Sequence, residues 1–183
     1  MSNHEQIIVR EASIPPGLND VELRAKVLSA YFDTTRYLKS ASIYVSQGSN
    51  GDIMSSRGIF SIPESCYIQS TGHFNSVEFN ICYNQIMYDT IAHASKYGLT
   101  PYFSDWGVDG FFQRQLPDIL ITRFQSRFSR SINPNQFQGE FSIKSTRFHR
   151  VDKPFLFLKT YCRFFDHADG EAVGEVDLAI TNP

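Results

Sequence analysis

Residues 75–94 read NSVEFNICYNQIMYDTIAHA. Wound as a helix, this stretch has apolar residues on nearly every side: Val77, Phe79, Ile81, Cys82, Ile86, Met87, Tyr88, Ile91 and Ala92 leave no broad polar stripe. Such a helix is stable only if the rest of the chain surrounds it. Its start is marked locally. Asn75 with Glu78 three residues later is the Asn form of a capping box, and Phe74 and Phe79 hold the two positions of a hydrophobic staple.

The flanking sequence offers strands as the cover. ASIYVSQ (41–47) and IMSSRGIFSI (53–62) bracket the turn-rich GSNGD and read as a hairpin. Farther on, DILITRFQSRFSR (118–130) sets Phe124 and Phe128 against Arg123 and Arg127, a strand with one apolar and one basic face. INPNQF then turns the chain, and FQGEFSIKSTRFHR, PFLFLKTYCRFFD and AVGEVDLAIT supply three more strands. In the last of these, Val176, Leu178 and Ile180 oppose Glu175, Asp177 and Ala179, so one face is wet. Two shorter helices are predicted, one in GLNDVELRAKVLSAYF (17–32) with Asn19 as N-cap, one in SDWGVDGFFQRQL (104–116) capped by Ser104 and ended at Pro117. The sum is α+β: about six mainly antiparallel strands in a curved sheet wrapped around one long helix, which is the hot-dog architecture. Hot-dog enzymes usually work as dimers with sites at the subunit interface, an analogy that by itself fixes no function.

At 183 residues, with 42% hydrophobic and 14% aromatic side chains, the chain fits one domain, here residues 1–183 with 1–16 as a flexible N-terminal segment. MSNHEQIIVREAS has neither the basic flank nor the apolar run of a secretion signal, and no membrane-spanning stretch occurs, so a soluble cytoplasmic protein is expected. Cys66, Cys82 and Cys162 are odd in number and widely spaced, which supports neither a disulfide framework nor a metal site. The net charge of -2 conceals a basic middle: residues 111–163 hold ten Lys or Arg against Asp118, Glu140 and Asp152. That segment is either a solvated face or a docking surface for an anion; the acidic remainder argues against nucleic acid and leaves a phosphorylated cofactor or an acidic carrier protein open.

No G-x-S-x-G, H-E-x-x-H, glycine-rich phosphate loop or C-x-x-C is present, so no metal or cofactor is expected. The start of the buried helix is the alternative. Backbone N–H groups without intrahelical partners, together with the helix dipole, suit an oxygen that gains negative charge. Around it stand His73, a candidate acid or base, Tyr67, a candidate hydrogen-bond donor, and Asn75, a candidate whose residue type is already accounted for by its place as a cap. Asn84 is an amide in a mostly apolar helix and must be hydrogen-bonded or functional. It lies nine residues from Asn75, about 13.5 Å along the axis and on roughly the opposite face. Asn84 therefore lines an acyl channel, serves a partner subunit's site, or is structural.

ESCYIQSTGHFNSVE (64–78), CYNQIMY (82–88), SRFSRSINPNQF (126–137) and the terminal GEVDLA, with KVLSAYFDTTRYL (26–38), resemble the FcoT-type long-chain fatty-acyl-CoA thioesterase family over about residues 18–183. The resemblance implies a hot-dog enzyme acting on acyl thioesters without a carboxylate base, with Tyr31, Tyr67, Asn75 and Asn84 at its site. It also includes the (2E)-enoyl-[acyl-carrier-protein] glycyltransferases of isonitrile lipopeptide biosynthesis, in which glycine adds to C3 of the enoyl group and the 3-(carboxymethylamino) acid is released by hydrolysis. Glycine needs a cation for its carboxylate and a base for its ammonium, for which Arg36, Arg57 and His73 are the candidates. Glycine addition on a carrier-bound chain is thus the first expectation, acyl-CoA hydrolysis the second, and a non-catalytic acyl-binding hot-dog domain the third. The expected partners are an acyl carrier protein or coenzyme A thioester, glycine, and a second copy of the chain.

Overall fold

A computed structural model describes residues 17–45, 53–69, 71–150 and 152–183. The expected flexible segment 1–16 and the 48–52 turn lie outside the described residues. In chain order the elements are α1 (Val21–Leu28), β1 (Leu38–Val45), β2 (Met54–Phe60), α2 (Ser76–Tyr97), α3 (Gly107–Arg114), β3 (Ile119–Arg130), β4 (Phe137–His149), β5 (Phe155–Phe165) and β6 (Glu171–Thr181), with 3-10 turns at Asp33–Thr35 and Ser104–Trp106. The strands form one sheet in the order β1-β2-β4-β5-β6-β3, and every pairing is antiparallel. This is the hot-dog arrangement.

α2 runs 22 residues and is buried along most of its length. It begins and ends as its sequence dictates. Asn75 Oδ1 accepts the N–H groups of Val77 (3.0 Å) and Glu78 (3.3 Å), and Gly98, at φ 60°, closes the far end with its N–H on the Ala94 carbonyl. The staple also forms, with the Phe74 and Phe79 rings 5.9 Å apart. The reciprocal half of the capping box does not, because Glu78 is turned inward and buried, and its Oε2 has no partner among the described residues.

Alternating strand residues face the helix, as in β5, where Leu156, Leu158, Thr160, Cys162 and Phe164 are buried and their neighbours only partly so. Two strand positions lack a side chain, Gly174 beneath the helix and Gly139 between rings of the neighbouring strands. A Cβ at Gly174 would stand 2.7 Å from the Phe79 ring, and one at Gly139 2.6 Å from Phe60 and 2.7 Å from Phe164. β-bulges in β3 near Ile121–Arg123 and in β4 near Ile143–Ser145 help to curve the sheet around α2.

The perimeter of α2 is less uniformly apolar than the hydrophobic pattern suggests, since Gln85, Asp89, Thr90 and His93 are fully buried on it. Each is paired. Gln85 Oε1 accepts the N–H groups of Tyr37 and Leu38, both at 2.9 Å, while its Nε2 donates to the Thr35 carbonyl. Asp89 meets Arg24 of α1 at 3.3 Å, and Thr90 meets Ser56 of β2 at 2.7 Å. His93 Nε2 accepts the Asp20 N–H, and its Nδ1–H donates to the Asp89 carbonyl oxygen.

Two caps differ from expectation. α1 is capped by Asp20, whose carboxylate accepts the Leu23 N–H at 2.9 Å, because Asn19 is drawn away to Arg24. Ser104 caps nothing: its hydroxyl donates back to the Thr100 carbonyl, and α3 starts at Gly107 without a side-chain cap.

Candidate functional site

The start of α2 rests on aromatic rings. Phe79 makes edge contacts with Phe124 (5.7 Å), Phe128 (5.6 Å) and Phe164 (4.9 Å), and Phe74 lies 4.8 Å from Phe137. The Phe74 N–H donates to the Ile132 carbonyl, tying the loop before α2 to the loop after β3. Asp166 holds that second loop by accepting the Asn133 N–H at 2.7 Å. This N–H, followed by those of Gly170 and Ala168, keeps the Asp166 carboxyl below its ordinary range.

Between the two loops lies a cleft of about 560 Å³ lined by His73, Phe74, Asn75, Ser76 and Phe128–Ser131. Of the expected site residues it gathers two. His73 Nδ1 sits 3.1 Å from the Thr71 carbonyl oxygen, which can only accept, so Nδ1 is the donor in this contact and, in the neutral ring, Nε2 is the nitrogen with the lone pair. Asn75 uses Oδ1 for capping, which leaves its NH2 group as the donor to the cleft. That same capping narrows the backbone contribution, since the Val77 and Glu78 N–H groups are already occupied and Phe79 N–H bonds the Asn75 carbonyl. The Ser76 N–H has no intrahelical partner, and the dipole of a 22-residue helix points at it.

Tyr31, Tyr67 and Asn84 are not in this cleft. Tyr31 is half-buried, and burial, with Tyr88 and Cys82 nearby, pushes its hydroxyl well above the usual range, so it is a donor at neutral pH. Tyr67 is 53% exposed on the loop from β2 to α2. Asn84 is half-buried beside Asn80, 3.5 Å away. Neither arginine candidate for glycine reaches the cleft either: Arg36 pairs with Asp33 (2.8 Å), and Arg57 pairs with Glu140 (3.0 Å) on the outer face of the sheet.

The cleft instead contains a cation that sequence reasoning missed as a site residue, Arg130, which is 3.5 Å from an exposed Asp169. An exposed pair of this kind is worth little, so the guanidinium is available to a bound carboxylate. Its signal was the SRFSRSINPNQF stretch, whose central residues 128–131 form one wall. Among the described residues, no group of three His, Cys, Asp or Glu is placed to hold a metal, and no helix is long and apolar enough to cross a membrane.

Comparison with known families finds an FcoT-like thioesterase domain at residues 26–180. The chain belongs to the FcoT-like thioesterase family. Within it, the chain is 44% identical over 167 residues to a (2E)-enoyl-[ACP] glycyltransferase of Streptomyces coeruleorubidus, covering 90% of this chain and 99% of that one. A protein of the same name from Mycobacterium marinum is 35% identical over 162 residues, 88% of this chain and 86% of its own. Among solved structures, a mutant thioesterase from Pseudomonas aeruginosa aligns at 8% identity and a TM-score of 0.48, over 88% of this chain and 94% of that one. The FcoT-like match begins inside α1 and ends in β6, so it spans the whole sheet and the cleft.

Proposed function

We propose that this protein adds glycine through its nitrogen to C3 of a (2E)-enoyl group on an acyl carrier protein and then releases the 3-(carboxymethylamino) acid by thioester hydrolysis. The observation that carries this reading is the set of groups on one cleft: an amide donor at a helix N-terminus, an imidazole oriented through its Nδ1, and a guanidinium. The shared name of the relatives at 44% and 35% identity supports the same chemistry.

In this reading Arg130 pairs with the glycine carboxylate, and His73 Nε2 takes one proton from the glycine ammonium. The freed amine attacks C3, and the C2–C3 π electrons move onto the thioester oxygen as an enolate. The Asn75 NH2 group and the Ser76 N–H stabilise that charge. C2 then recovers the proton from His73, leaving a secondary ammonium. Water adds to the thioester carbonyl, the same donors hold the tetrahedral oxyanion, and the C–S bond breaks to return the carrier thiol. Tyr31, Tyr67 and Asn84 enter a site completed by a second copy of the chain, consistent with their absence from the cleft of their own chain.

A second reading, plain hydrolysis of fatty-acyl-CoA, is favoured by the thioesterase description of the family and uses the same donors, but gives Arg130 no task. The test is incubation with a crotonyl-type carrier-protein thioester, with and without glycine, and mass analysis of the released acid. A glycine-dependent mass gain is expected; enoic acid alone selects the second reading, and no turnover sinks both in favour of a binding domain.

A further inference from the structure

The outer face of the sheet, away from α2, sorts its charges into two zones. Across the middle of β2, β4, β5, β6 and β3 three ion pairs form: Arg57 with Glu140 at 3.0 Å, Arg163 with Glu171 at 2.7 Å, Arg123 with Glu175 at 3.8 Å. Where β4 ends and β5 begins, the pattern changes. Arg147, Lys153 and Lys159 line a groove of about 1340 Å³, and none of them is in an ion pair with a described carboxylate, although Asp152 shares the groove and Asp177 is the cross-strand neighbour of Lys159.

The floor of that groove is aromatic. His149 and Phe155, opposite each other on β4 and β5, stack at 4.5 Å with an interplanar angle of 8°, and Phe157 meets His149 edge-on at 6.3 Å. Thr122, Ser145 and Thr181 add hydroxyls at the rim. Flat rings beside unpaired cations are complementary to a flat heteroaromatic ring that carries phosphates. A second copy fits poorly, because a two-fold contact would set these cations against themselves. The groove is also separate from the cleft: Thr122 and Ser129, one in each lining, are seven residues apart on β3, about 23 Å.

We propose that this groove binds a nucleotide with two or more phosphates, the base on the His149–Phe155–Phe157 surface and the phosphates on Arg147, Lys153 and Lys159. A free nucleoside diphosphate and the nucleotide end of coenzyme A share this chemistry. The test is calorimetric titration of the full chain with ADP, coenzyme A, adenosine and pyrophosphate, repeated on Arg147→Ala, Lys159→Ala and Phe157→Leu, each checked for folding by circular dichroism. ADP or coenzyme A should bind with a Kd below about 1 mM, about tenfold or more tighter than adenosine or pyrophosphate, and each variant should weaken binding about fivefold or more. Preference for ADP marks a free nucleotide as the source, and preference for coenzyme A the cofactor. Pyrophosphate binding as tightly as the nucleotides, affinities unchanged in folded variants, or an acidic carrier protein binding here while nucleotides do not would each overturn the assignment.

Discussion

Asn75 and Asn84 stand on opposite sides of α2, about 13.5 Å apart along its axis; Asn75 borders the cleft beside Phe128 and Ser129, whereas Asn84 lies beside Asn80 and outside that cleft. One helix therefore presents two amides to two different places. The cap role and the donor role of Asn75 can be separated by substitution. Asn75→Ala should lower stability by about 1 kcal/mol and slow turnover about tenfold or more. Asn75→Asp keeps an oxygen for the Val77 and Glu78 N–H groups but has no NH2, so it should hold its urea midpoint and still lose turnover. An active Asp variant would remove the amide from the chemistry.

Arg130 is the cleft's guanidinium, paired among the described residues with one exposed carboxylate, Asp169. In Arg130→Ala the KM for glycine should rise about tenfold or more, with a smaller change in kcat. Steady-state rates over a glycine series decide this, and an unchanged glycine KM moves the carboxylate site elsewhere.

Gln85 closes the gap between α2 and the start of β1 with three hydrogen bonds from a fully buried side chain. Gln85→Leu leaves the Tyr37 and Leu38 N–H groups buried without an acceptor. The cost should be about 2–4 kcal/mol, read as a lower urea midpoint with an unchanged slope.

Acid should loosen two loops. The Leu23 N–H, then Lys96 and Tyr97, pull the Asp20 carboxyl far below the ordinary range, and the Asn133 N–H leads the same effect at Asp166. A carboxyl with a lowered folded pKa contributes stability that is complete above its unfolded value of about 3.9 and is lost as pH falls through the folded value. Thermal midpoints should therefore drop below about pH 4, and Asp166→Asn should flatten that decline. An unaltered acid limb in Asp166→Asn would show that the loop beside the cleft does not depend on this charge.

Gly174 faces Phe79, the ring on which the start of α2 sits. A Cβ there meets that ring at 2.7 Å and the Cys162 sulfur at 3.1 Å, so Gly174→Ala should cost about 1–3 kcal/mol and disturb the cleft from beneath. Chemical denaturation together with the turnover assay measures both effects.

Several features were readable directly from the chain because they depend on neighbours within one turn or one strand. The Asn75 cap, the Phe74–Phe79 staple and the period-two burial of β6 are of this kind. From a helix buried on all sides and strands with one wet face, the curved sheet followed, since no other packing covers both. Errors arose where two adjacent residues competed for one local role: Asp20 displaced Asn19 as the cap of α1 once Arg24 engaged the Asn19 amide.

The sequence by itself determined the α+β class, the wrapped helix, the family, and the placement of His73 and Asn75 at the helix start, because these rest on periodicity, capping and a long motif. Only the tertiary structure decided that Arg130 joins them, that Arg36 and Arg57 do not, and that Tyr31, Tyr67 and Asn84 lie outside the cleft of their own chain. The reason is distance along the chain. Residues 130 and 75 meet because β3 closes the far edge of the sheet and its last turn packs against the loop before α2, a contact set by Phe128 on Phe79 and by the Ile132 carbonyl on the Phe74 N–H.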